Sequence, residues 1–382
     1  MEKSSKKRIL LVCPSLGIGG RERIAINTVE ALRDLYDVNL AVFMRKEKEY
    51  EFHGDIVDLN AYSQHGGIRK AFTQLKRAIK IARYVKNNKV DLLIGFGEAA
   101  NTSISLARVF GVKRIVSIVH GFGELNNYTR MKLVLSLSDA VVCISQEMNS
   151  ELKGRYAPHC PVYTIENGYD IKDIRRRSEQ DGEILSGSPA FVAMGRLESV
   201  KGYDRMLSAF SIILNHYPNA ELTILGDGCE KEELIRYASE LEISEHVHFI
   251  GNRENPYCIL KQASVLFLTS RNEGFPNALI EALACGVPIV SVDCQSGPKE
   301  ILSEQFDGRR VVGVSFEKYG VLVENQKNAF PKTYANAVVS ILRNNSKISE
   351  YRQLALERSE DFSKDRYREK MEKMIEEVLC DS

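Results

Sequence analysis

Two glutamates with seven residues between them, in Glu273-Gly274-Phe275-Pro276-Asn277-Ala278-Leu279-Ile280-Glu281, are the part of this sequence best suited to chemistry. The apolar run 263–269 before them reads as a buried parallel strand, and the run after them as a helix ended by Gly286 and Pro288. Gly274 permits close backbone approach, and Pro276 presets a turn or a first helical position. The N–H groups of Asn277, Ala278 and Leu279 would point out of the helix start, where a phosphate binds well. A carboxylate repels a phosphate, so the two acids suit hydroxyls, as on a sugar or a ribose, while backbone and cations take the charge. A plainer reading makes Glu273 a dipole-favoured acid at a helix start and Glu281 a solvated surface residue.

Cations that could take that charge are Arg196 and Lys201, which flank the turn after the apolar run 191–195. Two cations so placed could neutralise a diphosphate where other enzymes use a metal, although a surface pair is the ordinary alternative. The seven histidines and eight cysteines show no metal-ligand spacing and no Cys-x-x-Cys pair, so neither a metal site nor a cofactor is expected. The loop Gly251-Asn252-Arg253 ends another strand and could contact a base. In the first half, Glu98 and His120 each follow a buried run, at the strand ends where doubly wound sheets place ligands.

The elements that must carry these residues alternate strand and helix through both halves. Runs at 8–16, 38–43, 56–59, 90–97, 114–121, 139–145 and 162–165 read as one parallel sheet. Runs beginning at 191, 221, 246, 263, 288 and 319 read as a second. The fold class is therefore α/β, two doubly wound Rossmann-like domains facing a central cleft, with a closing helix returning to the first domain. The expected boundaries are an N-terminal domain 1–169, a linker 170–188, a C-terminal domain 189–361, and a helix 362–382. The loop Gly17-Ile18-Gly19-Gly20 follows the first strand, but the third glycine of a dinucleotide fingerprint would fall on Glu22, which excludes a nicotinamide site.

The net charge of +1 conceals an asymmetry: residues 1–170 hold 25 Lys and Arg against 18 acids, and residues 171–382 hold 27 against 33. Part of that surplus lies in helix 68–89, about 30 Å long, which has eight cations and no acid. Ile68, Ala71, Phe72, Leu75, Ala78, Ile79, Ala82 and Val85 give it an apolar face. It reads either as a packed outer helix or as a face for anionic lipid or a lipid diphosphate. Nucleic acid is not expected, since no recognition module or aromatic interleaving accompanies the charge. The apolar runs are strand-sized and the N-terminus is charged, so the expected location is cytoplasmic, peripheral to the inner face of the plasma membrane.

Taken together, Gly19-Gly20, His120, Gly195-Arg196-Leu197, Lys201-Gly202, Gly226-Asp227-Gly228 and the Glu273/Glu281 pair resemble the GT-B retaining glycosyltransferases of family 4, over nearly the whole chain. The resemblance implies that Arg196 and Lys201 clamp the donor diphosphate, with backbone N–H groups of Gly20, Asn277, Ala278 and Leu279 assisting. It also implies that Glu281 holds the ribose, that Asn252 or Arg253 frames the base, and that Glu273 with Gly274, Phe275 and Pro276 holds the transferred sugar. His120 would lie beside the reacting face of that sugar. The implied reaction moves a hexose or N-acetylhexosamine from a nucleotide sugar, UDP-linked, to a glycan acceptor on a lipid diphosphate, without a metal. A non-catalytic partner subunit and a nucleotide-sugar epimerase are the alternatives. The sequence departs from the family at Arg21, where alanine is usual, and at Glu98, where small or polar residues are frequent.

Overall fold

The structure, a computed structural model, describes residues 6–17, 20–46, 52, 54–62, 67–326 and 329–380, and of residues 67–70 the backbone alone. It divides into one unit of residues 1–169 with 364–382 and a second of residues 170–363.

The first unit is built on seven strands: β1 (Arg8–Cys13), β2 (Asp37–Val42), β3 (Ile56–Asp58), β4 (Leu92–Phe96), β5 (Ile115–Val119), β6 (Ala140–Cys143) and β7 (Val162–Thr164). All pair in parallel in the order 3-2-1-4-5-6-7. Strand β1 lies inside the sheet, with Leu10 opposite Asn39 on one side and Leu93 on the other. Its residues Ile9 to Cys13 are buried, as an unbroken apolar run must be when both sheet faces are covered. The covering helices are α1 (Gly20–Leu32), α2 (Gly67–Asn88), α3 (Glu98–Ala107), α4 (Phe122–Leu125), α5 (Tyr128–Leu137) and α6 (Gln146–Tyr156).

The second unit repeats the plan with β8 (Ala190–Met194), β9 (Glu221–Leu225), β10 (Val247–Gly251), β11 (Val265–Leu268), β12 (Ile289–Asp293), β13 (Val314–Glu317) and β14 (Gly320–Glu324). The spatial order is 10-9-8-11-12-14-13, parallel except for the edge strand β13. Its helices are α7 (Ile171–Ser178), α8 (Tyr203–Leu214), α9 (Lys231–Glu240), α10 (Tyr257–Leu260), α11 (Asn277–Ala284), α12 (Pro298–Leu302), α13 (Phe330–Leu342) and α14 (Asn345–Ser359). Phe191 of β8 stacks on Phe267 of β11 with ring centroids 4.6 Å apart, and Tyr334 of α13 meets Phe267 edge-on. These rings hold the central strands and one helix layer in fixed register.

The final helix, α15 (Lys364–Cys380), belongs to the first unit. Its Tyr367 hydroxyl shares a hydrogen bond with Thr28 Oγ1 at 2.7 Å, and the Lys364 N–H donates to Tyr169 O at 2.8 Å.

Three features differ from the sequence reading. Residues 170–188 are not a bare linker, because Ile171 and Ile174 bury the face of α7, and Arg175 ties it to Glu360 at 2.7 Å. A polar composition hid this helix, whose buried side is only a few residues wide. Strand β13 was missed because Val-Ser-Phe-Glu is short and lies at an edge, where burial imposes no continuous apolar run. The third difference is in α2, where Phe72 is 69 % exposed and Leu75 42 %, while Arg77 is buried. The guanidinium of Arg77 lies 4.1 Å from the centre of the Phe43 ring, and its Nε–H donates to Ala61 O at 2.9 Å. The apolar face expected from helical spacing is thus rotated, and two of its large side chains point to solvent.

Candidate functional site

In the second unit the site is assembled at the C-terminal ends of β8 and β11. Strand β8 ends in Gly195-Arg196, and a single 3₁₀ turn, Ser199–Lys201, delivers Lys201. Gly202 follows with φ +66°, and a Cβ there would lie 2.4 Å from Thr269 O, so only glycine lets this turn pass under the end of β11. Arg205 secures the other side, its Nε–H donating to Thr269 O at 2.7 Å and its Nη2–H to Ser270 O at 2.8 Å, with the guanidinium over the Phe330 ring.

This double anchorage brings Lys201 against Glu273. The ammonium donates to both carboxylate oxygens, at 2.7 and 2.9 Å, and Ser270 Oγ donates to Oε1. The Glu273 side chain is 8 % exposed and that of Lys201 24 %. An acid this enclosed would be costly alone, and the bidentate ammonium compensates it. Burial, reinforced by the Glu273 charge, raises the Tyr203 phenol, which therefore stays protonated and donates to Gly195 O at 3.1 Å.

Glu281 is buried, not a solvated surface acid, and the Tyr257 hydroxyl donates to its Oε1 at 3.3 Å. Helix α11 starts at Asn277 after extended Pro276, as the turn chemistry requires. Phe275 is buried edge-on against Phe362, and Ser296 Oγ donates to Gly274 O, which fixes the loop carrying Glu273. One expected phosphate donor is lost: the Leu279 N–H donates to Pro276 O at 3.1 Å, because the first turn is tight. Asn277 and Ala278 are half-buried at the helix start.

The structure does not bring Arg196 into the Lys201 pair. Its side chain is 68 % exposed and bonds Glu198 Oε1 at 2.7 Å, so the two cations lie in separate ion pairs and not in a single clamp. Asn252 is exposed at the end of β10, whereas Arg253 is held by Glu183 at 2.7 Å and by Ile250 O.

In the first unit, His120 follows β5 as expected. Its ring stacks on Phe96 with centroids 5.3 Å apart, and its buried Nε2 has no partner. Burial, with the Arg21 charge adding to it, holds the imidazole down at about 3, so the ring is neutral and Nε2 can meet a hydroxyl. Glu124 grips this corner: its Oε1 accepts the His120 N–H at 2.9 Å, and its Oε2 faces Asn101 Nδ2 at 3.4 Å. Burial pushes the Glu124 carboxyl up to about 7. Glu98 opens α3 and is paired with Arg130. Gly20 is the exposed first residue of α1, and Gly19 lies outside the described residues.

Sequence reasoning missed Glu124, Asn101, Tyr257, Ser270 and Arg205. A signal existed for Glu124, four residues after His120 and just past Gly121-Phe122-Gly123, and for Arg205, the one cation of α8. Tyr257 had none, since its contact with Glu281 spans two elements. Among the described residues no group of His, Cys, Asp or Glu is arranged to hold a metal ion.

Two Rossmann-like units with carboxylates, a lysine and glycine turns at their strand ends define the architecture, and comparison with known proteins gives the class as glycosyltransferase. The chain matches the Glycosyltransferase Family 4 model over residues 18–173 and the Glycosyl transferases group 1 model over residues 174–352. It belongs to the glycosyltransferases built from these two domains. An N-acetylgalactosamine-N,N'-diacetylbacillosaminyl-diphospho-undecaprenol 4-alpha-N-acetylgalactosaminyltransferase of Campylobacter jejuni is 25 % identical over 334 residues, 83 % of this chain and 86 % of that one. An uncharacterized glycosyltransferase of Methanocaldococcus jannaschii is 28 % identical over 276 residues, 66 % of this chain and 68 % of that one. The Anabaena HepE structure in complex with UDP and glucose superposes with a TM-score of 0.74 at 18 % identity, covering 97 % of this chain and 100 % of that one. Sucrose-phosphate synthase from Thermosynechococcus elongatus gives 0.79 at 18 % identity, over 99 % and 100 %. The shared architecture is the GT-B fold.

Proposed function

We propose that the chain transfers a hexose or N-acetylhexosamine from a UDP-sugar to a glycan acceptor carried on a lipid diphosphate, with retention at the anomeric carbon. The observation that carries this is the enclosed Lys201–Glu273 pair at the ends of β8 and β11. Its two halves match the two halves of the donor: an ammonium for the diphosphate and a carboxylate for sugar hydroxyls. Glu281, oriented by Tyr257, takes the ribose, and Asn252 lies at the loop assigned to the base. The Campylobacter relative, named for a diphospho-undecaprenol substrate, and the Anabaena structure with UDP support the substrate classes.

In the reaction the bond between the anomeric carbon and the diphosphate oxygen breaks while the acceptor oxygen bonds the same face of that carbon. The acceptor proton passes to the departing diphosphate, whose growing charge Lys201 and the start of α11 meet. Arg196, exposed and paired with its near neighbour Glu198, can turn from it toward the same charge. With protein cations supplying this stabilisation, the reading requires no divalent metal. His120, neutral at Nε2, is suited to a hydrogen bond with a substrate hydroxyl, not to proton transfer. Among the described residues no helix is long and apolar enough to cross a membrane.

The test is binding and slow hydrolysis of UDP-, GDP- and ADP-sugars in the presence of a chelator, with Lys201→Ala and Glu281→Ala alongside. One UDP-sugar should bind and both substitutions should abolish its hydrolysis. A well-folded chain that binds no donor refutes the reading and favours a non-catalytic partner subunit.

A further inference from the structure

From Ile289 to Ser303, through β12, the turn after it and α12, every residue is buried except Gln295. An exposed polar side chain in so enclosed a run is placed by its backbone. Ser296 and Gly297 follow it with φ +65° and +92°, two successive residues in the left-handed region. Only glycine fits at 297, since a Cβ there would lie 2.5 Å from Pro276 Cδ and 3.2 Å from Phe275 Cα. Ser296 is a strained residue of the kind that concentrates at ligand sites and persists only where surrounding contacts hold it. Those contacts are to the Glu273 loop: the Glu273 N–H donates to Gln295 O at 3.4 Å, and Ser296 Oγ donates to Gly274 O. Gln295 is thus fastened through its own main chain to the residue assigned to the sugar hydroxyls.

The polar side chains bonded to that loop are otherwise committed. Lys201 Nζ and Ser270 Oγ donate to the Glu273 carboxylate, and Ser296 Oγ is used on the Gly274 carbonyl. The carboxylate accepts from hydroxyls and repels a carbonyl oxygen. The Gln295 carboxamide has no hydrogen-bond partner among the described residues, and it carries two N–H donors without a charge. What it adds beside a hydroxyl-binding acid is a neutral donor for a carbonyl oxygen, and the hexose substituent with a neutral carbonyl is an acetamido group.

We infer that Gln295 selects the transferred sugar: its carboxamide N–H donates to the carbonyl oxygen of an acetamido substituent, so the preferred donor is a UDP-N-acetylhexosamine and not a UDP-hexose. The inference rests on the sugar-nucleotide reading of this site and narrows its substrate class.

Calorimetric titration of the full chain with UDP, UDP-N-acetylglucosamine, UDP-glucose, UDP-N-acetylgalactosamine and UDP-galactose tests it. One acetamido donor should bind at least about fivefold more tightly than the hexose donor of the same configuration, as one hydrogen bond allows. Gln295→Ala, and Gln295→Met, which keeps the length and loses the donor group, should each bring that ratio below about twofold. Both should leave UDP affinity within about twofold and the melting transition within about two degrees, because the side chain is exposed. A smaller ratio in the unmodified chain, or a ratio that persists in either variant, overturns the inference. A ratio lost together with UDP affinity or thermal stability also overturns it, since collapse of the loop then accounts for the loss. UDP binding without an acetamido preference overturns the inference alone, whereas absence of UDP binding overturns the sugar-nucleotide reading and the inference with it.

Discussion

Removing the Lys201 ammonium is the most direct way to ask whether the second unit is built around a compensated acid. In Lys201→Met the stem volume is retained, but Glu273, 8 % exposed, keeps among the described residues only the Ser270 hydroxyl as a side-chain partner for its charge. Breaking a fully buried pair costs about 3–5 kcal/mol; because Lys201 is 24 % exposed and water can reach the gap, we expect about 2–3 kcal/mol here. For a unit of this size that is a fall of roughly 4–12 °C in the melting transition. Glu273→Gln alone should cost less, about 1 kcal/mol, since the stranded ammonium is the more solvated partner. The double variant should recover at least about 1 kcal/mol relative to additivity, as expected for groups in direct contact. The assay is differential scanning calorimetry of the four proteins of the cycle at neutral pH. A Lys201→Met transition within one degree of the parent, or strictly additive costs, would refute the claim that this pair is enclosed and coupled. Donor hydrolysis should fall at least about 100-fold in Lys201→Met, as for loss of a group aimed at leaving-group charge.

Other outcomes follow from single contacts. Glu124 has its carboxyl raised to about 7 by burial, so the folded chain binds a proton the unfolded chain has already lost, and stability falls as pH rises from about 4.5 through 7. Glu124→Gln, which keeps an oxygen for the His120 N–H, should be more stable than the parent by about 1–2 kcal/mol at pH 8, with the gain vanishing below pH 4.5 in chemical unfolding curves. His120 is held at about 3, so its imidazole resonances should show no titration between pH 5 and 8, and a midpoint in that window would contradict its burial. Tyr257→Phe should weaken UDP binding about threefold to tenfold by releasing Glu281, measured by calorimetric titration. Gly226 has φ +143°, and a Cβ there would lie 1.9 Å from Gly195 O, so Gly226→Ala should cost at least about 3 kcal/mol in denaturant unfolding.

Most of the scaffold was legible in the chain because parallel strands covered on both faces must be continuous apolar runs. Ile9 to Cys13 and Ala190 to Ala193 are such runs, and each ends at a glycine-containing turn, so strand ends and the loops bearing Glu273, Lys201 and His120 could be placed in advance. The helix starting at Asn277 was likewise marked by Gly274 and Pro276, which constrain the backbone locally. Where burial is narrow the pattern fades, as in α7 with its two buried isoleucines, and where a strand is an edge it disappears, as in β13.

Local spacing also misread α2, since periodicity shows which residues share a face but not which face the neighbours cover. Phe72 and Leu75 ended outside and Arg77 inside because Phe43 and Ala61 O, from other elements, receive that guanidinium. The same limit applies at the site. The sequence by itself determined the alternating α/β plan, the strand-end positions of the chemical residues and the glycines that let turns pass one another. Only tertiary structure decided their partners: Lys201 with Glu273 and not with Arg196, Glu281 with Tyr257, His120 with Glu124, and the Leu279 N–H lost to Pro276. The physical reason is range. Backbone preference and apolar periodicity act over a few neighbouring residues, whereas the compensation of a buried charge is settled by whichever side chain the packed elements bring within about 3 Å.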